Sequence, residues 1–279
     1  MNRFVSVILT VCLLALPCLG SAEEEFMLED LVELEELLTY NDVEWTFPLA
    51  LEDMDPVLIR LANKHMLLPK EDAPDPIVSM PARKVLKDGS TNGGVNKASG
   101  VEMQLQKECA EALVSWFEAG LTEGITLYLK SAYRSWQTQN TMYYNRLKKN
   151  NGKDDGWVSK PGASDHQTGL GCDIVSRSWR DKSMNEKFAS TQEAAWMKET
   201  CAEYGFILRY PEDKQDITEI NFEPWHYRYV GVPVARYIME NNLCLEEFHE
   251  QLRAAIDEFL ANGGDLRYVQ AYMQVSAEQ

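Results

Sequence analysis

Two short stretches of the sequence contain residue types that could hold a metal ion and do chemistry there. The stretch SDHQTGLGCD places His166 seven residues before Asp173, and the stretch NFEPWHYRYV contains Glu223 and His226. The chain has 279 residues and 4 histidines, so two histidines that lie near carboxylates in sequence are informative. The alternative for the first stretch is a glycine-rich turn that carries a structural histidine.

Together these residues meet the requirements of a catalytic zinc site. His166, Asp173 and His226 supply two imidazoles and one carboxylate, and a catalytic zinc ion takes three protein ligands while a fourth position holds water. Glu223 is then free to accept a proton from that water, because a fourth protein ligand would close the site. The pattern predicts metal-assisted hydrolysis if the two stretches lie close together in the fold.

The residues between these side chains indicate turns rather than helices. Gly169 and Gly171 lie between the two candidate ligands of the first stretch and disfavour a helix there. Pro224 lies between the carboxylate and the histidine of the second stretch, so that pair is not expected in the middle of a helix as in HExxH enzymes. Both stretches are therefore predicted to turn and then enter strands.

The elements that must position these residues mix helices and strands without a repeated strand–helix–strand order. The segments ITLYLKSAYRS, CDIVS and HYRYV are predicted to be strands, and the first leaves Arg134 near its end. A helical face that begins at Leu105 is predicted to stop at Gly120. The mixture predicts an α+β fold with a small, mainly antiparallel sheet flanked by helices.

Three segments resemble a known family. SAYRSWQTQ, SDHQTGLGCD and EPWHYRYVG are similar to segments of the VanY-type D-alanyl-D-alanine carboxypeptidases. These are zinc peptidases of bacterial cell walls, related to the VanX dipeptidases and to the Hedgehog fold. LANKHMLLP and YGFILRYP resemble further segments of the family, so the resemblance covers residues 56–243.

The resemblance implies a metal centre and two catalytic residues. One Zn²⁺ per chain would be held by His166, Asp173 and His226, and Glu223 would be the catalytic base. Arg134 would stabilise the oxyanion or bind the carboxylate of the substrate. Since competent residues occupy all these positions, an active enzyme is expected.

The resemblance also implies a set of substrate contacts and a reaction. Gln139 and Ser164 would contact the substrate, and the reaction would remove the C-terminal D-alanine from peptidoglycan stem peptides. Tyr133 is a further candidate for substrate contact, with a place in the core as the alternative. The alternatives with the same site are an L,D-carboxypeptidase, a D,D-dipeptidase and a cell-wall endopeptidase. A non-catalytic zinc-stabilised module that binds wall peptides is a further alternative, but such a module would not need Glu223.

The four cysteines beyond the first 22 residues could pair in an exported protein, but the sequence does not demand it. Cys109, Cys172, Cys201 and Cys244 have no CxxC spacing, so the sequence leaves their pairing open. Cys172 directly precedes Asp173, and on a strand neighbouring side chains point to opposite faces. A packed core thiol is therefore predicted at this position.

Charge excludes some classes of partner. Asp and Glu number 44 against 27 Lys and Arg, and the net charge is −17. Nucleic acids and anionic membrane surfaces are bound by clustered cations, so neither is expected as a partner. A substrate that ends in a carboxylate would need a local cation.

The sequence divides into four predicted segments. Residues 1–22 combine a positive start, an apolar run and small residues, as in a secretory signal peptide, which predicts export to the cell envelope or beyond. An uncleaved membrane anchor is the alternative. Residues 23–55 form an acidic segment, either a spacer or a partner-binding arm, residues 56–243 form the catalytic domain, and residues 244–279 form a helical tail.

Overall fold

The computed structural model describes residues 43–87 and 91–276. Its α-helices are Pro56–Ile59 (α1), Lys107–Thr122 (α2), Trp136–Lys149 (α3), Gln192–Thr200 (α4), Gln215–Thr218 (α5), Val232–Glu240 (α6), Leu245–Ala261 (α7) and Leu266–Ser276 (α8). Its strands are Ile77–Ser79 (β1), Gln104–Gln106 (β2), Leu127–Ser131 (β3), Gly171–Ser176 (β4), Phe206–Leu208 (β5) and His226–Tyr229 (β6). The predicted signal peptide and most of the acidic segment lie outside these residues.

The main sheet has four strands in the order β3–β4–β6–β5, and every neighbouring pair is antiparallel. The strands β1 and β2 form a separate antiparallel pair. β4 is buried along its whole length, as expected for a central strand that is covered on both faces. The prediction of an α+β fold with a small antiparallel sheet is confirmed.

Helix α2 packs one apolar face onto the sheet. Cys109, Leu113 and Trp116 recur at helical spacing and are fully buried, and the Trp116 ring lies 5.1 Å from the ring of Tyr227 on β6. The predicted stop at Gly120 is wrong, because the helix continues to its end at residue 122. A side chain at Gly120 would crowd the indole of α4, since a Cβ there would come within 3.2 Å of it. The glycine therefore serves close packing.

A second core joins the two ends of the described chain. Phe248, Leu252, Ile256 and Phe259 are buried on one face of α7, as their spacing predicts. Apolar residues from 47–61 pack in the same core, together with α6 and α8. The C-terminal part of the predicted acidic segment is thus packed against the helical tail. Among the described helices, none has the length and apolar character needed to cross a membrane.

His249 is a buried polar residue of this second core. Its Nε2 lies 2.6 Å from the carbonyl oxygen of Ile59, to which it donates when the ring is neutral. Burial lowers the pKa of His249 from its ordinary value of 6.5 to about 4. The folded protein therefore holds this ring in the neutral form at neutral pH.

We expect His249 to make folding stability depend on pH. The ring is protonated near pH 6.5 in the unfolded chain and near pH 4 in the folded chain. The contribution of His249 to the unfolding free energy is therefore complete above pH 6.5 and is lost as the pH falls from 6.5 to 4. His249→Gln keeps an N–H donor for Ile59 but does not titrate. Between pH 7.5 and pH 5 the unfolding free energy of the wild type should fall by about 2 kcal/mol more than that of the variant, measured by urea denaturation. If the unfolding free energies of the wild type and the variant fell equally, the buried ring of His249 would not be neutral in the folded protein.

Candidate metal centre and active-site cavity

The register of β4 and β6 places two of the predicted ligands side by side. Asp173 and His226 are direct partners across the antiparallel pair, so their side chains lie on the same face of the sheet. The His226 Nδ1 atom is 2.9 Å from the Asp173 Oδ1 atom. The preceding residues Pro224 and Trp225 bring the chain into β6 through a turn, as the sequence predicts.

The third predicted ligand reaches the same place from a short 3-10 turn before β4. Gly169 ends this turn with a φ of 69°, a left-handed conformation that favours glycine. The His166 Nδ1 atom donates to the carbonyl oxygen of Ala132 at 2.7 Å, and the His166 carbonyl accepts from the backbone N–H of Arg134 at 3.0 Å. Both bonds fix the ring so that its Nε2 atom faces Asp173 Oδ1, at 3.4 Å.

These three side chains form a buried group that fits a metal ion. His166, Asp173 and His226 each offer one ligand atom, and these atoms lie within 4.8 Å of one another. Burial, reinforced by the charge of Arg134, lowers the pKa of His166 to about 4, so the ring is neutral, as a ligand must be. Burial opposes ionisation of Asp173, but the two histidines hold its pKa below the ordinary value. Two imidazoles and one carboxylate suit Zn²⁺.

Glu223 lies beside this group. Its Oε2 atom is 3.9 Å from His226 Nδ1, and its side chain is 12% exposed. Burial, together with the negative charge of Asp173, raises the pKa of Glu223 well above its ordinary value, while Arg134 acts in the opposite direction. A carboxylate with a raised pKa is a better proton acceptor near neutral pH.

Arg134 is held in place by two neutral groups. Its guanidinium donates to Gln139 Oε1 at 2.8 Å and to Ser131 Oγ at 3.2 Å. Gln139 in turn donates to the carbonyl oxygen of Ser159 at 2.6 Å. Because no carboxylate pairs directly with Arg134 in the described chain, its charge stays available to an anionic ligand.

His166, Asp173 and His226, called the metal group below, line a cavity of about 440 Å³. The residues predicted for the site that line this cavity are Arg134, Gln139, Ser164, His166, Asp173, Glu223 and His226. Tyr133, which was predicted to contact substrate, is half-buried and is not among the described residues that line the cavity. Cys172 is fully buried, which agrees with a core thiol.

Several residues that line the cavity were not among the site residues predicted from the sequence, although Trp225 was considered for a pocket and a core position was favoured for it. The rings of Trp157 and Trp225 stack at 6.2 Å with an interplanar angle of 13°, and both line the cavity. The ring of Tyr210 lies 5.0 Å from that of His226. The one feature of the sequence that could have pointed to Trp157 as a cavity residue is that a large aromatic side chain stands in a mostly polar loop.

A loop on another side of the cavity is fastened by one lysine. The Lys130 ammonium donates to three backbone carbonyl oxygens of residues 179–182. Met184 and Asn185 follow this loop and line the cavity. The lysine thus connects β3, which carries Ser131, a hydrogen-bond partner of Arg134, to this part of the cavity wall.

Known proteins with similar sequences identify the family. Residues 102–232 match the sequence profile of VanY, D-alanyl-D-alanine carboxypeptidase. The bifunctional D-Ala-D-Ala dipeptidase and D-Ala-D-Ala carboxypeptidase VanXYC of Enterococcus gallinarum is 33% identical over 204 residues, which cover 72% of this chain and 98% of VanXYC. The chain belongs to the VanY family. The resemblance seen in the sequence is therefore confirmed.

Two solved structures show the same fold as this VanY-family chain. The LdcB LD-carboxypeptidase is 37% identical with a TM-score of 0.61, and the match covers 70% of this chain and 87% of LdcB. A mutant of the D,D-pentapeptidase VanY from a VanB-type resistance cassette, in complex with Zn(II), is 27% identical with a TM-score of 0.51. That match covers 69% of this chain and 98% of the VanY chain.

Other relatives match over part of their length. YodJ of Bacillus subtilis (strain 168) is 43% identical over 150 residues, which cover 53% of this chain and 55% of YodJ. The D-alanyl-D-alanine carboxypeptidase of Enterococcus faecalis (strain ATCC 700802 / V583) is 34% identical over 142 residues, which cover 50% of that protein. The chain thus spans about half the length of these curated relatives.

We expect Asp173 to be needed for metal binding. Asp173→Ala should weaken zinc binding by more than about 100-fold, since even outer-shell partners of metal ligands contribute 10- to 100-fold. The matched control is Cys172→Ala, which changes a buried neighbour on the same strand and should leave zinc affinity within about threefold of the wild type. The dissociation constants are measured by competition with a chromophoric chelator, and circular dichroism checks the fold. Unchanged affinity in the Asp173 variant would exclude this ligand set.

Proposed function

We propose that the protein is a zinc-dependent D-alanyl-D-alanine carboxypeptidase that removes the C-terminal D-alanine from peptidoglycan stem peptides. The observation that carries this proposal is the buried group of His166, Asp173 and His226, with Glu223 beside it and lining the same cavity. Membership of the VanY family supports the reaction and the class of substrate.

The proposed cofactor is one Zn²⁺ per chain, held by His166, Asp173 and His226. The ligand chemistry of the group supports zinc, and so does the related VanY structure in complex with Zn(II). When bound, zinc would supply a Lewis acid that lowers the pKa of water and polarises the scissile carbonyl.

Glu223 is the proposed general base. It accepts a proton from the attacking water and passes this proton to the amine of the departing D-alanine. Its raised pKa suits both steps, because the same group first takes and then gives the proton. Its position, 3.9 Å from a proposed metal ligand, supports this role.

Arg134 is the proposed cationic contact of the substrate. It is held by Gln139 and Ser131, and it supplies a local positive charge within a chain whose net charge is −17. It either stabilises the oxyanion or binds the terminal carboxylate. Ser164 and Gln139 line the cavity, which supports substrate contact, whereas the position of Tyr133 offers no such support.

The second candidate is an L,D-carboxypeptidase with the same site. The similar structure of the LdcB LD-carboxypeptidase favours this reading. In both reactions the metal group, Glu223 and Arg134 have the same roles, and the shape of the cavity decides which peptide enters.

The export predicted for residues 1–22 would bring the enzyme to the cell wall, and N-terminal sequencing of the mature protein tests this prediction.

The substrate and the base can be tested together. The zinc-loaded protein is incubated with stem pentapeptide and stem tetrapeptide, and the products are identified by mass spectrometry. We expect the wild type to remove one alanine from the pentapeptide. Glu223→Gln should retain zinc but hydrolyse the pentapeptide about 100- to 10,000-fold more slowly than the wild type, because it lacks the general base. Cleavage of the tetrapeptide alone would favour the L,D reading. Wild-type rates in the folded, zinc-loaded variant would contradict the role of Glu223.

Arg134→Ala should lower kcat/KM for the pentapeptide by about 100-fold, which corresponds to about 3 kcal/mol of lost transition-state stabilisation. A fall in kcat alone assigns Arg134 to the oxyanion, and a rise in KM alone assigns it to the terminal carboxylate. Arg177→Ala, at an exposed position, is the control and should keep wild-type kinetics. Unchanged kcat/KM in the Arg134 variant would remove this residue from the site.

A further inference from the structure

A buried carboxylate that the proposed mechanism does not use lies next to one of the proposed metal ligands. The side chain of Asp165 is fully buried and accepts from two arginines. Arg209 Nε donates to Asp165 Oδ2 at 2.7 Å, and the guanidinium of Arg228 donates to Asp165 Oδ1. Burying a carboxylate costs free energy unless it is paired and hydrogen-bonded. Here each carboxylate oxygen of Asp165 accepts from a positively charged guanidinium.

The same pairing extends to the C-terminal helices. The guanidinium of Arg209 forms a two-pronged pair with Glu246 on α7, with N–O distances of 2.7 and 2.8 Å. Glu246 lies outside residues 102–232, the part that matches the family profile. A continuous path of charged groups therefore runs from α7 through Arg209 to Asp165.

The path ends at a metal-ligand histidine with an unpaired nitrogen. His226 Nδ1 faces Asp173, whereas His226 Nε2 is buried and has no hydrogen-bond partner among the described residues. The Asp165 Oδ2 atom is 3.9 Å from this Nε2. A metal bound at Nδ1 requires the tautomer with its proton on Nε2, and that N–H then needs an acceptor.

We propose that Asp165 is the positioning residue of His226: it accepts the Nε2–H and so selects the tautomer that offers Nδ1 to the metal. Arg209 and Glu246 hold the Asp165 carboxylate in place, so that α7 supports the metal centre. A shift of less than about 1 Å closes the gap from 3.9 Å to hydrogen-bond distance. The inference rests on the metal centre of the proposed function but not on its substrate.

A purely structural role for the same charges makes a different prediction. If Asp165 only neutralised Arg209 and Arg228, its replacement would lower stability but leave the zinc affinity of the folded protein and the hydrogen bonding of the His226 Nε2–H unchanged. Zinc affinity and this hydrogen bond are therefore the deciding measurements, and neither depends on peptide hydrolysis.

The test uses Asp165→Asn, Glu246→Gln and the matched control Glu250→Gln in the full chain. Glu250 lies one turn after Glu246 on α7, is exposed and forms no ion pair with the described residues. We expect zinc affinity to fall about 10- to 100-fold in Asp165→Asn and about three- to tenfold in Glu246→Gln, and to stay at the wild-type value in Glu250→Gln. Proton and nitrogen-15 NMR of the zinc-loaded proteins should show a hydrogen-bonded His226 Nε2–H proton in the wild type and in Glu250→Gln, and a shift of this proton to lower frequency in Asp165→Asn.

Two results would overturn the inference. One is wild-type zinc affinity in folded Asp165→Asn, and the other is equal affinity in Glu246→Gln and Glu250→Gln. If Asp165→Asn does not fold, the zinc affinities of Glu246→Gln and Glu250→Gln decide whether the inference holds. Should no stem peptide be cleaved while the zinc affinities differ as expected, the proposed function fails and the role of Asp165 stands.

Discussion

The antiparallel pairing of β4 with β6 is the constraint on which the site depends. It sets Asp173 opposite His226, although the two residues are 53 positions apart in the chain. A slip of one residue in this register would turn one of the two side chains to the other face of the sheet. The apolar residues that alternate with them, Cys172 and Tyr227, are fully buried and oppose such a slip, since it would bring them to the cavity.

The site is built from charged groups whose burial is compensated locally. Asp165 is paired with two arginines, and the pKa of Asp173 is held below its ordinary value by two histidines despite burial. Arg134 has neutral partners, so its charge is directed to the cavity. In an acidic protein, this arrangement leaves the positive charge of Arg134 available to an anionic peptide end.

Different parts of the fold supply the chemistry and the cavity wall. The metal group and Glu223 lie on or next to the paired strands, which hold them rigidly. Trp157, Met184 and Asn185 belong to loops, and loops vary more readily than the elements they connect. Because other segments than the proposed metal ligands form this part of the cavity wall, its shape can change without moving those ligands.

The sequence alone singled out the candidate ligands, and it predicted the turns around them and the buried faces of α2 and α7, because glycine, proline and apolar spacing act within a few residues. It predicted the mixed fold for the same reason. It could not place Tyr133 away from the cavity, find Trp157 in its wall, or show that α2 continues through Gly120. These features depend on contacts between segments far apart in the chain, and only tertiary packing decides which of those segments meet.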